Sequence, residues 1–250
     1  MHPTTKIICI VPAFFMTLLF LSLACGDTHQ VVFVYDGDTI LLQNGTKVRY
    51  TGINTPEIDH EDGNDELFSR EAKDLNTELV NLKAVSLEYD RQTKDRYKRT
   101  LAYVFIENGE MINALMVKNG LAYVASHKPN LRYRGYLIHI QRQAMEEKLG
   151  IWKNLPKEEK TEYRGNKKSF RFHRKNCPSG RQIPINHRVQ FSSMYNAFWE
   201  GYSPCHRCLP RWFEKPANVE FTPNTPPRKK QEDKPKVPSA YIPRSWGRRK

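Results

Sequence analysis

Three short stretches of this sequence carry side chains able to hold a hard cation and a phosphodiester at once. Asp36-Gly37-Asp38-Thr39 supplies acidic groups, residues 49–57 (RYTGINTPE) supply Arg49, Asn54, Thr55 and Glu57, and residues 95–99 (DRYKR) supply Tyr97 and Arg99. Carboxylate and carbonyl oxygens are the donors that hard divalent ions prefer. Guanidinium groups match phosphate oxygens in a two-pronged way. Together they are equipment for metal-assisted attack on a phosphodiester. Taken singly, each residue also has an ordinary reading. Asp-Gly-Asp-Thr makes a turn between apolar runs, with Asp36 as a turn former. Asp38 and Glu57 read as solvated acids, Arg49 as a partner for Glu57, and Arg99 as one of a surface cluster with Arg91, Lys94, Arg96 and Lys98.

A second group of chemically capable residues lies near the C-terminus. His173-x3-Cys177 is followed at a distance by Cys205-x2-Cys208. Four soft or borderline ligands at this spacing suit tetrahedral Zn²⁺ in a structural role. The competing arrangement is a Cys205–Cys208 disulfide, which leaves Cys177 over; the odd count and the placing of His173 favour zinc. His187 and His206 are spare candidates that read as surface residues. The surrounding basic and aromatic residues, Arg171 among them, suit an accessory surface for nucleic acid, and core packing explains the aromatics equally well.

The elements that must position these residues follow from periodicity. Residues 30–35 (QVVFVY), 39–43 (TILLQ) and 47–53 read as a strand meander, with Asn44-Gly45 as the hairpin turn. Residues 66–82 have helical spacing, 84–89 and 100–106 are further strands, and 111–119 and 131–149 are helices closed by Gly120 and Gly150. The expected fold class is α+β: a five-stranded OB-type β-barrel with three helices, plus a small zinc-binding module and a disordered basic tail. The expected division is 1–24 signal peptide or N-terminal membrane anchor, 27–154 catalytic barrel, 155–168 linker, 169–210 metal-binding module and 211–250 tail.

Composition narrows the partners. The 250 residues carry a net charge of +13 with only 39% hydrophobic residues, which favours an anionic partner, nucleic acid or a membrane surface. Much of that charge is in the tail, where eleven Lys or Arg face four acids among seven of the sixteen prolines. Such a tail is attracted to polyanions or anionic lipid. The apolar run over residues 7–24, with Ser22 and Ala24 before Cys25, reads as an export signal. The chain is therefore expected to be secreted or held in the periplasm or cell envelope, with a lipid on Cys25 or an uncleaved N-terminal segment as the anchored alternatives. No obligate protein partner is indicated.

The ordered set DGDT, RYTGINTPE, DRYKRTLAYVF and a distal KLGIW resembles the staphylococcal nuclease, or thermonuclease, family over about residues 31–152. The resemblance implies an OB barrel capped by three helices and hydrolysis of DNA and RNA. It implies Ca²⁺, with Mg²⁺ as the alternative, held by Asp38 and the Thr55 carbonyl. Asn54 stands where the family has a second metal-binding aspartate, so the site loses one negative charge. By the same resemblance Glu57 is the general base, Arg49 and Arg99 stabilise the phosphate, Tyr97 contacts substrate, and His127 occupies a tyrosine position in the substrate site. The C-terminal cluster resembles the metal-binding domain of the Ada DNA-repair family, with His173 in place of its first cysteine, and no methyl-accepting role is implied. The alternative from another class is a non-catalytic nucleic-acid-binding OB module with a zinc accessory domain; the retention of Arg49, Glu57 and Arg99 argues against it.

Overall fold

The computed structural model describes residues 27–59, 65–155, 157 and 161–209. The expected export segment, Cys25 and the basic tail lie outside the described residues. Among the described residues no helix is long and apolar enough to cross a membrane.

Strands β1 (Thr28–Asp36), β2 (Thr39–Leu42), β3 (Lys47–Tyr50), β5 (Ala84–Glu88) and β6 (Thr100–Ile106) form a closed barrel in the order β1-β2-β3-β6-β5. The α+β barrel expected from periodicity is the fold observed. All neighbours are antiparallel except β3 and β6, where Arg49 lies opposite Leu101. In β1 the two buried valines, Val31 and Val34, are three residues apart, not two, because register shifts interrupt its pairing with β2.

Three helices close the barrel: α1 (Ser69–Val80), α2 (Ile112–Lys118) and α3 (Arg134–Glu146). The buried positions of α1 are Ser69, Ala72, Asn76 and Val80, the spacing of one helical face. This helix starts later than its pattern suggests because Phe68 adopts a left-handed conformation, φ 68°. The expected third strand over 47–53 also divides. Gly52, at φ 84°, turns the chain away from the barrel, and β4 (Ile53–Asn54) pairs instead with β7 (Tyr123–Val124). That turn places Arg49 and Asn54 on one cleft.

The second module begins earlier than expected. Residues 155–168 read as a linker, yet β8 (Tyr163–Asn166) lies within them and is central to a sheet ordered β10-β8-β9-β11. Only Tyr163 and Gly165 of β8 are fully buried, and their charged neighbours erased the apolar signal. The remaining elements are β9 (Arg171–Arg174), α4 (Pro178–Arg181), β10 (Arg188–Phe191), α5 (Met194–Trp199) and β11 (Ser203–Pro204).

This module is docked onto the barrel through a shared core. Tyr123, Ala144, Met145, Ile151 and Trp152 pack with Tyr163, Phe172, Phe198 and Tyr202. The Phe198 ring centroid lies 5.0 Å from that of Trp152 and 5.7 Å from that of Tyr123. Each ring buried at this seam contributes about 1.5–3 kcal/mol. Gln141, buried in α3, makes the polar link: its Oε1 accepts the Val124 N–H at 2.7 Å and its Nε2 donates to the Phe198 carbonyl at 2.6 Å.

Candidate active site

The turn between β1 and β2 approaches α1 so closely that a Cβ on Gly37 would stand 2.7 Å from both Ala72 Cβ and Thr55 Cγ2. Glycine is required there by contact. Asp36 Oδ1 accepts the Asp38 N–H at 2.9 Å, which fixes the turn and aims the Asp38 carboxylate inward. Asp38 is only 3% exposed. Its Oδ2 accepts the Thr55 N–H at 3.0 Å and pairs with Arg49 Nη2 at 2.8 Å, and its Oδ1 accepts the Thr39 hydroxyl at 3.0 Å. Burial pushes this carboxyl up to about 8, against the pull of Arg49 and with further upward push from Asp36 and Glu57.

Arg49 is tied at several points. Nη1 donates to the Tyr50 carbonyl at 2.8 Å and Nη2 to Asn54 Oδ1 at 2.7 Å. Asn54 then uses Nδ2 to reach the Thr55 carbonyl at 2.9 Å and the Tyr123 hydroxyl at 3.1 Å. Asp38, Arg49, Asn54 and Thr55 therefore form one hydrogen-bonded group. Its oxygen donors suit a hard cation, although Asn54 turns its amide N–H, and not its oxygen, toward Thr55.

Arg99 is positioned by its own turn. Asp95 Oδ1 accepts the N–H groups of Tyr97 and Arg99 at 2.8 and 2.9 Å, and Oδ2 accepts Arg99 Nε at 2.7 Å. Burial raises the Asp95 carboxyl, but these donors outweigh it and hold it below the ordinary range. Tyr97 is 64% exposed and lies between two cations, its centroid 4.7 Å from the Arg96 guanidinium carbon and 5.5 Å from that of Arg99. Glu57 is exposed, and Glu66 pins its backbone by accepting its N–H at 2.7 Å and donating to its carbonyl at 3.0 Å. Partial desolvation raises the Glu57 carboxyl; Asp36 adds to the rise, while Arg49 and Arg99 oppose it.

These groups surround a cleft of about 510 Å³ whose walls include Arg49, Asn54, Tyr97, Arg99, Tyr123 and His127. Asp38 and Thr55 stand behind Arg49 and Asn54. An open cleft lined by two arginines, with a buried carboxylate behind them and an exposed carboxylate of raised pKa nearby, suits an anionic ligand.

Residues 47–154 match the staphylococcal nuclease homologue family. The chain is 39% identical over 137 residues to the thermonuclease of Staphylococcus hyicus, covering 54% of this chain and 80% of that protein. It is 35% identical over 130 residues to the thermonuclease of Staphylococcus intermedius, covering 51% of this chain and 77% of that protein. The endonuclease YncB of Bacillus subtilis is 37% identical over 122 residues, 47% of this chain and 57% of that protein. The chain belongs to the staphylococcal nuclease family. It is a nuclease, a hydrolase whose substrates are nucleic acids.

The nuclease carries a second cluster in its C-terminal sheet. One ligand atom each of His173, Cys177, Cys205 and Cys208 lies within 4.8 Å of the others, close to the edge of about 3.8 Å that a tetrahedral Zn–thiolate site requires. The three described cysteines are unbonded. The Arg174 N–H donates to Cys208 Sγ at 3.4 Å. Burial and the neighbouring thiols push Cys208 up to about 12. Burial raises Cys177 too, but the N–H groups of Gly180 and Ser179 and the thiols of Cys208 and Cys205 bring it below the ordinary thiol value. Buried thiols with N–H donors at sulfur fit a bound cation, which lets them ionise together.

The structure brings the residues read from the sequence into two clusters and one cleft, except Glu57, which is exposed beside them and does not line the cleft. Asp95, whose i,i+4 spacing to Arg99 was the available signal, and Tyr123 join the site without having been singled out by sequence. His127 lies on the cleft wall, where partial desolvation and then Arg171, Arg49 and His206 push its pKa down to about 4. At neutral pH it is an uncharged ring.

Proposed function

We propose that this nuclease is an exported, metal-dependent phosphodiesterase acting on DNA and RNA, with Glu57 as general base and Arg49 and Arg99 stabilising the phosphate. The observation that carries the reading is the group in which Asp38 joins Arg49, Asn54 and Thr55 beside the Arg99 turn. Export rests on the apolar run over residues 7–24.

Glu57, exposed and within the electrostatic reach of Arg49 and Arg99, accepts a proton from the attacking water. Its raised pKa makes it a stronger base than an ordinary glutamate. Arg99 commits only Nε to Asp95 among the described residues, leaving both terminal nitrogens for the phosphate. Arg49 is more restrained, and its bonds to Asp38 and Asn54 pre-set its direction. Both guanidinium groups oppose charge that grows on the phosphoryl oxygens as water adds.

The family is calcium-dependent in general. Asp38, the Thr55 carbonyl and, with its amide turned, the Asn54 oxygen would hold Ca²⁺, with Mg²⁺ as the alternative. When bound, the cation supplies positive charge against the phosphate. Tyr97 and His127 are the proposed substrate contacts. His173, Cys177, Cys205 and Cys208 would hold a structural Zn²⁺ in the module that resembles the Ada metal-binding domain. The tail remains a candidate for attraction to polyanions or anionic lipid.

The test is cleavage of single-stranded DNA by the purified protein in Ca²⁺, in Mg²⁺ and in EDTA, beside Glu57→Gln. Cleavage should require a divalent ion and fall about 10²–10⁴-fold in the variant. Equal cleavage by Glu57→Gln would sink the assignment of the base.

A further inference from the structure

The C-terminal sheet does more than dock on the barrel: it supplies part of the cleft. Arg171, Ser203 and His206 line it together with Arg49, Arg99 and Lys128. Arg171 Nη2 is 3.5 Å from His127 Nε2, on the barrel side, and Nη1 donates to the Pro204 carbonyl at 3.4 Å. Among the described residues, Arg171 forms no ion pair with a carboxylate. A half-buried guanidinium in a cleft wall, fixed by a carbonyl and lacking an acidic partner, is a ready phosphate site.

We propose that Arg171 binds a backbone phosphate of the nucleic acid away from the scissile one, so that the metal-binding module extends the substrate groove. The phosphate contacts of the barrel come from Arg49 and Arg99, and Lys128 and Arg171 continue the basic lining toward the second sheet. Single strands are held in this manner, by a positive groove that follows the backbone.

The same geometry gives the cysteine-histidine cluster a task in binding. Arg171 and His173 lie on β9; Ser203 and Pro204 form β11, which runs directly into Cys205, His206 and Cys208. β11 is two residues long and pairs in parallel with β9, Ser203 opposite Arg171. So short a parallel pair holds weakly alone, and the ligand cluster clamps its two strands together immediately beyond the pair. The clamp therefore sets where Arg171 stands. His206, between two of the ligands, is carried into the cleft by the same knuckle.

This inference rests on the reading of the cleft as the catalytic centre, and the test separates the two. Arg171→Gln and Arg171→Lys are compared with the unaltered protein on a single-stranded oligonucleotide of about 12 nucleotides and on a thymidine dinucleotide, at several salt concentrations. Arg171→Gln should raise KM for the oligonucleotide about tenfold and flatten the salt dependence of log(kcat/KM) by about 0.7. Arg171→Lys should recover most of the affinity and the original salt slope. The dinucleotide, too short to reach Arg171, should respond less. An unchanged salt slope in Arg171→Gln, or equal losses on both substrates, overturns the proposal. Glu57→Gln run alongside reports on the catalytic centre by itself: full activity there on the dinucleotide would overturn the centre's assignment, whatever Arg171 does.

Discussion

Two ligand-capable clusters in this nuclease have opposite surroundings. The barrel cluster, Asp38 with Asn54 and Thr55, consists of oxygen donors and opens onto a cleft lined by arginines. The module cluster, three thiols and an imidazole, is largely buried in a sheet edge, with backbone N–H groups directed at its sulfurs. A centre that must admit substrate keeps an open side and tolerates mismatched charge, as the raised Asp38 and Glu57 carboxyls indicate. A centre that only holds strands together closes upon itself. If the contrast is sound, damage to the first should remove turnover with little loss of stability, and damage to the second should do the reverse.

The sharpest way to break the contrast is Arg99→Ala. Among the described residues its guanidinium is bonded through Nε to Asp95 and lies against the exposed Tyr97 ring, so the fold loses little, while the phosphate loses its less restrained cation. We expect kcat to fall about 10²–10³-fold with an almost unchanged melting temperature. Asp95→Asn weakens the support but keeps the arginine, and should cost less. A melting temperature that falls as steeply in Arg99→Ala as activity does would place Arg99 in the scaffold.

The complementary change is Cys205→Ser. The thiol is buried and its neighbours are pre-set for a cation, so the variant should lose about one equivalent of zinc and be destabilised by about 3 kcal/mol, a melting temperature lower by roughly 10 °C. Cleavage of the dinucleotide should persist. Metal analysis decides the point, since unchanged zinc content excludes this cluster as the site.

The barrel was legible because its signals are local: alternating strands, Asn-Gly turns, and motifs in fixed order. The grouping of the ligand-capable residues was visible for the same reason, each group being a short spacing of chemically distinctive residues. What escaped the sequence depends on tertiary contact. β8 was hidden because only Tyr163 and Gly165 of its four residues are fully buried, leaving no apolar run. Tyr123 packs on Phe198, and its hydroxyl also accepts the Asn54 amide N–H across 69 positions of sequence, a link no local pattern shows. Arg171 could be recognised only as one basic residue among many until the docked sheet placed it in the cleft.

A smaller effect tests how much the missing charge at residue 54 matters. Asn54→Asp adds a carboxylate beside Asp38 and cannot donate to the Thr55 carbonyl, which frees that oxygen for a cation. The Ca²⁺ concentration for half-maximal activity should fall about tenfold, because ligand charge tunes calcium affinity. A superimposable calcium activation curve would show that Asn54 is not part of the metal site.

The smallest effect concerns stability at the open site. The Glu57 carboxyl is raised in the folded protein, so its contribution to stability is fully present below the ordinary glutamate pKa and is lost as pH rises through the raised value. Above the raised value the ionised Glu57 is therefore mildly unfavourable to the fold, and there Glu57→Gln in EDTA should be slightly more stable than the unaltered protein. Because the side chain is exposed, solvent screening keeps the gain under about 1 kcal/mol. The advantage should vanish on titration to acid, where both side chains are neutral. In the active protein the same ionisation should make kcat/KM rise with pH to a plateau, with a midpoint above the ordinary glutamate range. Unfolding midpoints measured in denaturant across pH read the first effect, and cleavage rates in Ca²⁺ read the second. A variant that is less stable above the raised value would mean that the open site supports the fold as the closed one does, and the contrast between the two clusters would fail.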